Sequence, residues 1–171
     1  MKLSIVIPAL ILMLVGSVAN AVTINTNVGD LNFSGVGNTF DIVSGGVVNN
    51  VIHGSGVNQT LNLNGGTITG DIFHNSGVGA TFNFNEGSFL GSINIASGFG
   101  MTFNFFGSNL VQVGNVVSGN LLDGSSVSAT FNGAGASTSI NLNNIAVPEP
   151  NTAVLAMIGV VGLVARRLRA V

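Results

Sequence analysis

Cysteine, tryptophan and tyrosine are absent from this 171-residue chain, and proline occurs only three times. Without cysteine there is no disulfide and no thiolate, so stability in an oxidising compartment has to come from packing and hydrogen bonds. Charge is almost as scarce, with four Lys or Arg against six Asp or Glu. The cations are Lys2, Arg166, Arg167 and Arg169, so no Lys or Arg lies between Val22 and Val147. Nucleic-acid binding draws its affinity from Lys and Arg against phosphates and is excluded for this body. Electrostatic capture of an anionic polymer is excluded on the same ground. The acids of the body are Asp30, Asp41, Asp71, Glu86 and Asp123.

What is present is glycine, 25 residues of it, among many Asn, Ser and Thr. Disordered chains combine low hydrophobicity with high charge. This body instead alternates apolar and polar residues, as in Leu61-Asn62-Leu63 and Phe82-Asn83-Phe84, the pattern of a half-buried strand. Gly and Asn clusters between such runs read as turns, and no helical period interrupts them.

Sliding the body against itself yields a period of 21 residues, carried by Ser34-Gly35, Ser55-Gly56, Ser76-Gly77, Ser97-Gly98 and Ser118-Gly119. The same offset aligns Thr39, Thr60, Thr81 and Thr102, and then the apolar columns Phe40/Leu61/Phe82/Phe103 and Ile42/Leu63/Phe84/Phe105. Two further columns, Val47/Ile68/Phe89/Leu110 and Val36/Val57/Val78/Phe99, follow it. Short repeats of strand and turn bury their apolar faces on their neighbours. The fold class expected is all-β: a β-solenoid of about 21 residues per coil, every apolar column an inward ladder. An antiparallel sandwich or meander with one hairpin per repeat is the alternative, since Asn64-Gly65-Gly66 also suits a hairpin turn. Asn62, Asn83 and Asn104 fall in one outward column headed by Asp41 and should form an amide ladder. Few charges guard the strand edges, so end-to-end self-association is expected as a hazard or a function.

Candidate chemistry is thin. His53 and His74 stand one period apart and would be neighbours in a solenoid, with Asp71 close in sequence. Their column continues as Ile95 and Val116, however, and a metal site wants three convergent ligands, so no metal is expected. Asp71 and Glu86 are the one carboxylate pair to consider for glycoside cleavage, but nothing in their spacing brings them together. No Ser sits in a nucleophile elbow. The chain reads as a non-enzyme without catalytic residues or cofactor. Phe73, Phe99, Phe105 and Phe106 are the rings to examine for stacking on sugars.

Both ends carry export signals. Lys2, an apolar stretch and the small-x-small triplet Ala19-Asn20-Ala21 form a signal peptide over 1–21, cleaved at Ala19/Ala21 by signal peptidase after passage through the export machinery. The repetitive body then runs over 22–147, with clear repeats over 34–119 and a cap over 120–146. At the far end Pro148-Glu149-Pro150 precedes an apolar run from Thr152 to Ala165, followed by the basic cluster Arg166, Arg167 and Arg169. Such a run spans about 21 Å as a helix, short of a bilayer core of about 30 Å, which suits a transient anchor with its arginines cytoplasmic. The body is therefore flanked by an N-terminal signal helix and a C-terminal hydrophobic helix.

The order Pro-Glu-Pro, short span with Gly159 and Gly162, closing arginines resembles a PEP-CTERM sorting tail over 148–171. The family more often has Ser or Thr where this chain has Asn151. The resemblance implies recognition and processing by an exosortase, a membrane enzyme of bacteria that make exopolysaccharide. It also implies a final place at the cell surface or in the extracellular matrix of a biofilm, with extracellular polysaccharide as a candidate partner. A structural surface or matrix protein is the function expected, and a carbohydrate-binding or adhesive module the alternative.

Overall fold

A computed structural model describes residues 20–133 and 138–146. The signal helix, the C-terminal hydrophobic helix, Ala19, Pro148, Glu149, Pro150, Arg166, Arg167 and Arg169 lie outside the described residues. Within them every regular element is a strand.

The first coil holds β1 (Ala21–Ile24) and β2 (Asn27–Val36), the second β3 (Thr39–Val43) and β4 (Val47–Val57). The third holds β5 (Thr60–Ile68) and β6 (Ile72–His74), the fourth β7 (Thr81–Phe89) and β8 (Ser92–Ile95). The next strand is β9 (Met101–Val113). Pairing from coil to coil is parallel throughout, β1-β3-β5-β7-β9 on one path and β2-β4-β6-β8 on another. The chain is thus a solenoid and the antiparallel alternative is overturned. Identical 21-residue offsets let each strand meet its own copy one coil on, as Thr60 meets Thr81 and Leu61 meets Phe82. Only parallel stacking satisfies such a repeat column by column.

Each coil turns over three short faces. In the third coil they are Thr60–Asn64, then Thr67 and Ile68, then Ile72–His74. The core runs through the coils as stacked columns: Phe82 on Phe103 at 4.7 Å and Phe84 on Phe105 at 4.6 Å, ring planes within 9° and 5° of parallel.

Three columns depart from the sequence reading. Val36, Val57, Val78 and Phe99 were expected inside; they stand outside, Phe99 at 64 % exposure. Val78 lies between Gly77 and Gly79, whose φ angles are +132° and +71°, and this corner turns it outward. In the second coil Val48, not Val47, pairs with Ile68 and is buried, because the spacing is one residue short there. Val116 does not extend the His column: it pairs with Val113 and Thr130 in a hairpin.

That hairpin ends the stack. β10 (Val116–Leu121) runs antiparallel to β9 and to β11 (Ser126–Asn132), so Ser118-Gly119 forms no further coil. β11 returns to parallel pairing on β8, with Thr130 on Ser92. β12 (Thr138–Asn144) lies parallel on β9, Ile140 on Phe103 and Leu142 on Phe105.

Candidate functional site

Two polar constellations stand out, one buried and one on the surface. The buried one joins His53 of β4 and His74 of β6, both at 0 % exposure. Parallel pairing puts His53 against His74 and His74 against Ile95, with Phe33 on the other side of His53. The two rings stack at 4.6 Å and their Nδ1 atoms are 2.8 Å apart. One Nδ1–H therefore donates to the other Nδ1, and in the neutral pair the two rings hold opposite tautomers. Both Nε2 atoms are buried without a partner, as are both amide atoms of Gln59. Burial, reinforced by the neighbouring His53, lowers His74 to about 4. Burial also lowers His53, while the Gln59 amide acts the other way without reaching bonding geometry.

The Ser-Gly repeat makes room for this pair. A Cβ on Gly77 would collide with His53 Cε1, and one on Gly98 with His74 Nε2. Both glycines also have φ near +130°, where L side chains are strained.

Asp71 does not join the histidines. Its Oδ1 accepts from the Ser92 N–H at 2.8 Å and its Oδ2 from Asn94 Nδ2 at 3.3 Å. Glu86 sits on β7 paired with Asn64 and is exposed. Among the described residues no three His, Asp or Glu side chains converge as a metal site would require.

The surface constellation is the amide ladder. Asn104 Nδ2 donates to Asn83 Oδ1 at 2.7 Å, Asn83 to Asn62 at 2.7 Å, and Asn62 to Asp41 Oδ1 at 2.6 Å. Asn141 of β12 extends it, donating to Asn104 at 2.8 Å. Every amide points its donor toward the N-terminal coil, and a carboxylate, which only accepts, ends the series. A second ladder escaped the sequence reading: Asn85 donates to Asn64 at 2.7 Å. It could have been found from the T-x-N-x-N spacing shared by Thr60 and Thr81. Asp30 terminates another group, accepting from Asn49 and Asn50 side chains and the Asn50 N–H, and these bonds hold its carboxyl below the usual range. At Asp123 burial opposes ionisation, but N–H groups of Ser125 and Gly87 and the Ser125 hydroxyl outweigh it and lower the pKa. Of the rings singled out for sugar stacking, Phe105 is core, Phe73 and Phe106 are half-buried, and Phe99 is exposed.

Comparison with protein families matches residues 146–170 to the PEP-CTERM protein-sorting motif. The tail is a PEP-CTERM motif. The match takes in Pro148-Glu149-Pro150, the apolar run and all three arginines, and begins two residues beyond the end of β12. A PEP-CTERM tail marks an exported, C-terminally sorted chain that interacts with exosortase and ends at the surface or the membrane. No curated protein and no solved structure matches the chain.

Proposed function

We propose that this is a structural protein of the cell surface or extracellular matrix, carried across the membrane by a signal peptide over 1–21 and released or re-attached when exosortase cuts its PEP-CTERM tail. The observation that carries this reading is the PEP-CTERM motif that follows the solenoid. A non-catalytic role is supported by the acids: Asp30, Asp41, Asp71 and Asp123 each accept structural hydrogen bonds. The test is the intact mass of the chain recovered from medium and envelope of its own host. Protein beginning at Val22 and ending near Pro150 supports the reading; a single species running from Val22 to Val171 in the membrane overturns the processing step.

A second reading, a carbohydrate-binding or adhesive module, is favoured by the ladder face. Asn62, Asn83 and Asn104 each use one of two amide hydrogens and one of two carbonyl lone pairs along the stack. The remainder face outward at a spacing of about 4.8 Å, suited to the hydroxyls of an uncharged polymer. Glycan-array binding that is lost in Asn83→Ala but kept in His74→Ala would favour this module; no binding would leave the structural role alone.

A further inference from the structure

Face one of the solenoid ends in two strands that each have one partner among the described residues: β1 on β3, and β12 on β9. An edge strand directs alternate N–H and C=O groups away from its partner. Asn20 C=O accepts from the Thr39 N–H, so the residues in phase with it, Val22 and Ile24, bond toward β3 and Thr23 points its backbone outward. At the other end the Ile145 N–H donates to Gly107 C=O, so Asn143 and Asn141 bond toward β9 and Ile140 and Leu142 point theirs outward.

The other faces are less suited to pairing. At the N-terminal end β2 carries Asp30 and three register shifts against β4, both of which deter pairing. At the C-terminal end β11 is flanked by β10 and β8. By contrast β1 (AVTI) and β12 (TSINLNN) hold no charged side chain and no proline.

We propose that a second copy of this chain docks β1 on β12 of the first, head to tail and parallel, so that the two stacks become one. The columns fit this register. Val22 of the second copy would follow Ile140, which follows Phe103, and Ile24 would follow Leu142, which follows Phe105. Ile140 and Leu142 are half-buried, with no coil beyond them among the described residues, and Val22 is exposed. Thr23 would meet Asn141, whose Oδ1 is the open acceptor at the end of the amide ladder, and the Thr23 hydroxyl can donate to it. The backbone phases agree too: Thr23 N–H would face Ile140 C=O, and Leu142 N–H would face Thr23 C=O. Thr23 and Ile24 both survive cleavage at Ala21. A head-to-tail contact that continues the stack along its own axis cannot close into a ring, so the product is a filament.

The test uses the exported chain purified from its own host. Sedimentation should show mass rising with concentration, and electron microscopy should show unbranched rods. The axial repeat should be roughly 29 Å, from six strands per copy at about 4.8 Å. Thr23→Pro removes the outward N–H of β1, and Asn141→Lys places a charge opposite Thr23 on the β12 edge. Each alone should be monomeric and still melt cooperatively, and an equal mixture should give dimers and nothing larger. Should Thr23→Pro fail to fold, Thr23→Lys takes its place. The proposal is overturned if the wild type stays monomeric up to millimolar concentration. It is also overturned if the β1 variant still dimerises alone, which means β12 pairs with β12, or if Asn141→Lys does, which means β1 pairs with β1.

Discussion

His53 and His74 make the interior sensitive to acid. Both are held neutral, so the folded chain binds fewer protons than the unfolded one below the ordinary histidine pKa of 6.5. Their contribution is intact above pH 6.5 and is lost as pH falls toward about 4, where His74 titrates in the fold. For His74 that gap is worth on the order of 3 kcal/mol. Thermal melts from pH 7.5 to 4 should show the fall, and His74→Ile, which copies Ile95 of the same column, should flatten it. Gly98 is the second residue to test. Gly98→Ala adds a methyl against His74 Nε2 and the Gly77 carbonyl at an unfavourable φ, and should cost roughly 2–4 kcal/mol in urea unfolding. Gly114→Ala, with a positive φ but open space, should cost about 1 kcal/mol.

Among elements, the ladder strands β3, β5, β7 and β9 combine an apolar inner side with a hydrogen-bonded outer one. Asn83→Ala interrupts the ladder twice, as donor to Asn62 and as acceptor from Asn104, and should lower unfolding free energy by about 1–2 kcal/mol. Phe84→Ala in the same strand removes a ring stacked on Phe105 and packed at 5.5 Å on Phe89, and should cost about 3–5 kcal/mol. Denaturant titration of both variants separates the outer contribution from the inner. These strands were legible because Phe82-Asn83-Phe84 alternates and repeats. The corner at Val78 was not. Its column is apolar and periodic like the core columns, and only the positive φ of Gly77 and Gly79 directs it outward.

For the whole molecule, the coil is the unit of insertion and deletion. Removing 61–81 joins Thr60 to Phe82 and preserves every column, so the shortened chain should fold cooperatively at lower stability. Removing 61–80 joins Thr60 to Thr81 and shifts everything beyond by one position, turning the inward set outward at the junction. That chain should expose apolar surface and bind a hydrophobic dye where the first does not. The fold ends where the period fails: Gly119 pairs Val127 across an antiparallel hairpin. Ala129-Thr130-Phe131-Asn132 resembles Ala80-Thr81-Phe82-Asn83, yet it stacks on β8 rather than on the column that it imitates.

The strands, the period, the parallel stack, the ladder headed by Asp41 and the PEP-CTERM tail are all written in the order of the residues. They are local or strictly repetitive, so identical residues meet identical surroundings in each coil. Three further matters wait on the folded chain. Folding turns the Val36 column to solvent, sets the buried His53 and His74 Nδ1 atoms 2.8 Å apart, and leaves β1 and β12 with one strand partner each among the described residues. Each of these depends on how the chain bends between strands and where stacking stops, and a one-dimensional period carries no such information.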